Sequence, residues 1–151
     1  MKALRILILL LAVAAGSACT QNNGHIGPLF GSWHLENMTC DGENLPQPEG
    51  TDTYWSFQGA VLNVLLVETM YESLFFIATW ERDGDKLALD FTHSSDISEP
   101  GTGFYAAPYW MGFPENEVLD LDVRRLDGSR LILHWTSKEG KKYIYNFNKT
   151  W

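Results

Sequence analysis

The chain has 151 residues and an acidic balance, with 19 Asp and Glu against 11 Lys and Arg and a formal net charge of −8. That charge excludes a nucleic-acid partner, whose phosphates need Lys and Arg in excess. The apolar share of 45% and aromatic share of 13% exclude disorder and leave enough apolar surface for one buried core.

In chain order, Met1–Arg5 is a short basic segment and Ile6–Ala15 an unbroken apolar run. Ten residues at about 1.5 Å each fall well short of the ~30 Å hydrocarbon core, so the run reads as a signal-peptide core and not a membrane span. It closes on Ala15-Gly-Ser-Ala-Cys19. Small residues followed at once by Cys resemble a bacterial lipoprotein precursor, with Gly16 where Leu is commoner. The resemblance implies that residues 1–18 are removed and that the Cys19 thiol carries the lipid. The protein would then be held in the bacterial envelope, most simply at the outer membrane, on its periplasmic or its surface face. Ordinary secretion with cleavage after Ala18 is the alternative, and a Cys19–Cys40 disulfide would then be open to the two cysteines. With Cys19 acylated, Cys40 is left as a small side chain at a strand end, with a reactive thiol as the lesser reading. Attachment to anionic lipid through protein charge is disfavoured by the acidic body, so the lipid chains would do the anchoring.

Residues 19–28 are polar, without periodicity, and read as a tether. Residues 29–151 form one domain of short runs rich in β-branched and aromatic residues, broken by Gly, Pro and Asp, which predicts an all-β fold. The predicted strands are Gly31–Thr39, Thr53–Gln58, Ala60–Glu68, Ser73–Arg82, Lys86–Thr92, Glu117–Leu126, Arg130–Ser137 and Lys142–Phe147. Asp83-Gly-Asp and Asp127-Gly-Ser supply tight-turn chemistry through the positive-φ tolerance of Asp-Gly pairs, and Glu139-Gly140 does so less cleanly. Gly59 separates two strand runs without a loop, which favours a bulge or sharp bend.

Alternation with period two gives several strands one inward face. It groups Leu87, Leu89 and Phe91, then Leu119, Leu121 and Val123, then Leu131, Leu133 and Trp135, and last Tyr143, Tyr145 and Phe147. Ala60–Val67 and Leu74–Trp80 are apolar on both faces, so their outer side needs cover, most simply from the long loop Ser94–Asn116. Loops of that length in a compact domain are often lids or binding loops. Its centre, Gly103–Pro114, reads GFYAAPYWMGFP and suggests a short helix over one barrel mouth, bounded by Pro100 and Pro114. Its aromatics should pack and not stay wet, either as a plug completing the core or as ligand contacts.

Eight strands joined mostly by hairpins make an antiparallel up-and-down meander, which closes into a barrel with either a filled core or room for one small ligand. Gly31-Ser-Trp33 on the first strand then resembles the Gly-x-Trp of the lipocalins and the wider calycin group. The arrangement of Phe30-Gly-Ser-Trp33, the 94–116 loop and Tyr145–Trp151 after a lipobox Cys is similar to small lipocalin-like bacterial lipoproteins. The resemblance implies that Gly31 bends the chain into the barrel end and that Trp33 seals that end. A basic residue stacked over the Trp is also implied. Lys149 stands where it would fall, without the planar face of Arg.

No catalytic set emerges. His25, His34, His93 and His134 show no metal-ligand spacing, and Cys40 has no neighbouring partner. There is no nucleophile elbow, and Asp120-Leu-Asp122 and Asp83-Gly-Asp85 read as solvated carboxylates. The reading is a barrel without catalysis, cofactor or metal that binds a small hydrophobic or amphipathic ligand. The candidate lining is Leu87, Leu89, Phe91, Leu131, Leu133, Trp135, Tyr143 and Tyr145, with Tyr105 and Trp110 at the mouth. The alternative is a filled barrel acting through its surface, as a protein-interaction module or an inhibitor of a periplasmic enzyme, its acidic face turned to a basic partner.

Overall fold

The computed structural model describes residues 27–68, 73–92 and 107–151. Nine antiparallel strands run β1 Gly31–Cys40, β2 Glu43–Asn44, β3 Asp52–Gln58, β4 Val61–Val67, β5 Ser73–Asp83, β6 Lys86–Asp90, β7 Val118–Leu126, β8 Arg130–Thr136 and β9 Lys142–Lys149. Neighbours in space are neighbours in sequence, and β1 pairs with β9 as well as with β3, so eight strands close into an up-and-down barrel. The ninth, β2, is a two-residue strand hooked onto the end of β1, too short to announce itself in a sequence pattern. Closure leaves no long edge for another chain to pair with.

The alternation places the core. Leu87 and Leu89, Leu119, Leu121 and Val123, Leu131, Leu133 and Trp135, and Tyr143, Tyr145 and Phe147 all point inward and are buried. Two breaks in the period have a structural cause. On β1, Leu35 pairs with Phe147 but Asn37 with Asn146, so Glu36 is an extra residue and Met38 returns to the core. On β7 the same slip falls between Val123 and Arg125. Each is a bulge, and bulges bend a strand in the way closure of a small barrel requires.

Two turns differ from the sequence expectation. Gln58 pairs with Val61, so Gly59-Ala60 is a two-residue hairpin turn and not a bulge. Gly59 has φ 57° and Ala60 is not in the positive-φ region, the combination that a type II′ turn asks for. At Asp127-Gly-Ser the glycine is not in the positive-φ region either. That turn is held by the Asp127 carboxylate, which accepts from the backbone N–H of Ser129 at 2.9 Å and of Arg130 at 2.8 Å. Asp83-Gly84-Asp85 does use the freedom of glycine, with φ 58° at Gly84.

Hairpins at one end connect β3–β4, β5–β6 and β7–β8, and β1 begins there. Gly31 has φ 116°, and a Cβ on it would lie 2.4 Å from the carbonyl oxygen of Trp151, so only glycine fits where the two chain ends cross. Ser32 N–H donates to Trp151 O at 3.2 Å and Thr150 N–H to Ser32 O at 2.9 Å. The Trp33 side chain is fully buried and its Nε1–H donates to Leu29 O at 2.8 Å. Lys149 Nζ sits 5.0 Å from the Trp33 ring centroid. This end is sealed.

The outer apolar rows of β4 and β5 are not covered by the described part of the 94–116 loop. Phe75 is 49% exposed beside half-buried Leu65 and Ile77. Residues 107–116 turn into the barrel instead.

Candidate functional site

The opposite end is the mouth, where the β6–β7 connection returns to the barrel. The short helix predicted over it is a single 3-10 turn, Tyr109–Met111, with Trp110 and Met111 buried. Pro108 starts the turn and Gly112, at φ 76°, ends it in the left-handed region. Two prolines and a left-handed glycine within seven residues leave no room for a longer helix. Trp110, Met111 and Phe113 are thereby driven into the interior and buried.

Phe113 is the centre of the contact. Its ring lies 5.3 Å from Tyr145, 5.5 Å from Trp135, 6.2 Å from Phe91 and 6.3 Å from Trp55, centroid to centroid. Trp110 packs edge-on against Phe76 at 5.2 Å, and its Nε1–H donates to the buried Thr53 hydroxyl at 3.1 Å. The Tyr145 hydroxyl donates to the Met111 carbonyl at 2.7 Å. Burial pushes the Tyr145 phenol far above its ordinary value, so it stays a donor at any physiological pH. The Trp55 Nε1–H, buried beside this intrusion, has no hydrogen-bond partner, a state that costs on the order of 1–3 kcal/mol. The intrusion is a plug.

The structure thus brings Phe91, Trp135, Tyr143, Tyr145 and Trp110 together at the mouth, three of them touching Phe113. Leu87, Leu89, Leu131 and Leu133 are fully buried in the core below. Tyr105 and Cys19 lie outside the described residues, as do His25 and His93. Thr53, Trp55 and Gly112 belong to the site and were not singled out from the sequence, whereas Met111 and Phe113 were read there as part of the aromatic loop centre that should pack. For Thr53 and Trp55 the usable signal was alternation along β3, which sets both on the inward face.

A cleft of about 270 Å³ remains at the mouth, lined by Gly112, Pro114, Glu117, Trp135, Lys138 and Tyr143 among others. Tyr143 and Trp135 have ring centroids 4.9 Å apart, and Lys138 pairs with Glu117 at 2.8 Å. Burial, then the neighbouring Cys40, raises the Tyr143 phenol above its ordinary value. Clefts of about 510 Å³ and 480 Å³ lie at the sealed end and along the outer wall of β5 and β6. The first is lined by Gly27–Leu29 and the β5–β6 hairpin and the second by outward-facing residues around Trp80, whereas the mouth cleft is walled by the buried rings of Trp135 and Tyr143. The mouth is therefore the better candidate.

The histidines are not brought together. His34 faces outward between Glu36 and Asp52, at 3.1 Å from each carboxylate, and pairs across β9 with Asn148. His134 pairs with Asp122 and Ile144 on the outer wall; partial burial, then Arg124, lowers its pKa against the pull of Asp122. Cys40 ends β1 as a free thiol opposite Tyr143. Among the described residues no three His, Cys, Asp or Glu side chains are placed to hold a metal ion.

An eight-stranded up-and-down barrel, sealed at one end by a Gly-x-Trp and plugged at the other by its own loop, is the architecture of a lipocalin-like domain. The family model of the lipocalin-like domain matches residues 10–149, and the chain belongs to that family. The chain is similar in structure to a lipocalin-like protein from Bacteroides uniformis, at 19% identity and a TM-score of 0.55, over 82% of this chain and 99% of that one. It is similar also to an uncharacterized protein from Bacteroides eggerthii, at 15% identity and a TM-score of 0.55, over 80% of this chain and 98% of that one. At these identities the likeness concerns the fold. No curated protein matches the chain.

Proposed function

We propose that the protein is a lipid-anchored envelope component that binds a small hydrophobic or amphipathic molecule inside its barrel and performs no catalysis. One observation carries this reading: the mouth half of the interior is filled by a single short turn and not by strand-borne side chains. Take Trp110, Met111 and Phe113 away and the barrel becomes a cup walled by Phe76, Phe91, Trp55, Trp135 and Tyr145, an apolar chamber with a few convergent polar groups. Anchoring through Cys19 rests on the small-residue run before it, and the outer membrane is the proposed site.

Native mass spectrometry of the protein purified from its own envelope tests the binding reading, with a co-purifying small molecule as the expected result. Absence of any bound species, together with unchanged Trp fluorescence on titration with apolar amphiphiles, would remove it. Fatty-acid labelling of the wild type but not of Cys19→Ala is expected if the anchor is lipid; equal labelling of both sinks that part.

A second reading, a filled barrel working through its outer surface, is favoured by one feature. Phe75, 49% exposed, continues an apolar row on the outer face with Leu65 and Ile77. Concentration-dependent self-association lost in Phe75→Ser would favour it.

A further inference from the structure

The chamber occupied by the plug is uncharged. Inward-facing polar residues among those described are Thr53 and Ser137, with the phenols of Tyr143 and Tyr145 and the indole of Trp55, and no Lys, Arg, Asp or Glu among the described residues is buried there. The segments outside the described residues between the strands, 69–72 and 93–106, hold no Lys or Arg by sequence; their titratable groups are Tyr71, Glu72, His93, Asp96, Glu99 and Tyr105. At the rim, Lys138 is taken by Glu117 at 2.8 Å. Lys141 and Glu139 lie together in the same cleft and balance one another.

The polar groups that do face the chamber favour an oxygen. The Tyr145 O–H is satisfied only by the backbone carbonyl of the plug. The Thr53 hydroxyl accepts from the plug indole. The Trp55 N–H is buried without any partner. If the plug leaves, two donors and one hydroxyl face an apolar, aromatic space. A carboxylate there would be buried without a counter-charge, at a cost far above that of a neutral hydroxyl or carbonyl.

We propose, resting on the binding reading above, that this chamber selects flat neutral amphiphiles. These are aromatic or polycyclic alcohols or ketones, whose oxygen takes the Tyr145 hydrogen bond that the plug carbonyl now takes, with the Trp55 N–H and the Thr53 hydroxyl as further polar groups of the chamber. The corresponding carboxylates are excluded. Trp110 and Phe113 are the stand-ins, two flat rings carried on one turn, and a ligand enters by displacing them.

2-Naphthol and 2-naphthoate make a matched pair at pH 7, equal in ring, the first neutral and the second carrying a carboxylate. Titration of the full chain is expected to show 2-naphthol bound at least about tenfold more tightly than 2-naphthoate. The Trp55 indole N–H resonance should move downfield on binding. Gly112→Ala places a Cβ 2.4 Å from the Tyr143 ring in the left-handed region, which dislodges the plug. The variant should bind 2-naphthol more tightly still, because the competent state no longer has to be opened. Adding Tyr145→Phe should weaken 2-naphthol about tenfold and leave 2-naphthoate unchanged. Should Gly112→Ala fail to fold, Phe113→Ala opens the same space without backbone strain. Equal or tighter binding of 2-naphthoate, above all if it depends on Lys138 or Lys141 and not on Tyr145, overturns the selectivity and leaves the binding reading standing. No binding of either probe when the Trp110 indole resonance shows the plug released overturns both.

Discussion

Gly31 has no substitute among the twenty residues. Its φ of 116° is open to glycine alone, and the Trp151 carbonyl fills the space a Cβ would need. Gly31→Ala therefore combines backbone strain with a contact to backbone that cannot swing away. It is expected to lower the stability measured by urea unfolding by about 1–3 kcal/mol. Deleting Thr150 and Trp151 should recover only the steric part. An alanine variant as stable as the wild type would mean that the chain ends do not cross as described. Trp33 makes the same point from the other side. Its indole is buried and needs a partner, and Leu29 O supplies it from four residues upstream. The pair Gly31 and Trp33 was legible in the sequence as a spacing. What the spacing does, a bend against the C-terminus and a seal under Lys149, depends on contacts with residues more than a hundred positions away.

At the scale of elements, the hairpins show how turn chemistry is read and misread. The β7–β8 turn was legible as Asp-Gly-Ser, but the working group is the Asp127 carboxylate and not the glycine. Two backbone N–H groups, the Ser129 hydroxyl and Arg125 converge on it and hold its pKa well below the usual carboxylate range. A lowered folded pKa means stability present above the unfolded value near 3.8 and lost as pH falls below it. Asp127→Asn is thus expected to be less stable than the wild type at pH 7. The gap should narrow as the pH drops from about 4 toward 2. Urea midpoints across that range check it, and a gap independent of pH would show that charge at Asp127 contributes nothing. The two bulges, at Glu36 and beside Arg124, were also written in the sequence, as the Leu-Glu-Asn-Met and Val-Arg-Arg-Leu breaks in alternation. They were not read as bulges, because a break in period looks the same whether the strand ends or absorbs one residue.

Over the whole molecule, closure rests on β9, which pairs with β8 on one side and β1 on the other. Phe147 lies opposite both Leu131 and Leu35, and its ring stands 4.9 Å from Trp55. Phe147→Ala is expected to cost about 3–5 kcal/mol, through lost burial and the cavity left behind. Val118→Ala on the exposed outer wall should fall within about 0.5 kcal/mol of the wild type. Chemical unfolding followed by both near- and far-ultraviolet circular dichroism measures the two. A Phe147→Ala variant that loses less than the outer-wall variant would mean that the seam is not where the barrel closes.

The sequence by itself determined the strand order and the inward rows. Period-two alternation and turn residues act over a few positions, and a run of hairpins admits few other topologies. It also determined which kind of side chain the interior holds. What only the tertiary structure decided is where the aromatic loop goes. The rings of GFYAAPYWMGFP favour burial, although Tyr109 stays 66% exposed beside buried Trp110 and Phe113, and burial over the mouth, along the outer face of β4 and β5 or inside the barrel answers that preference equally from a local view. The choice is made by space: a barrel of this girth leaves a chamber above Trp55 that strand residues do not fill, and Trp110 and Phe113 fit it, with the Trp110 indole bonded to Thr53 and the Met111 carbonyl to Tyr145. The site is therefore occupied by the chain's own residues, and the groups that would read a ligand, Thr53, Trp55 and Tyr145, become visible only as the partners or the orphan that the plug leaves there.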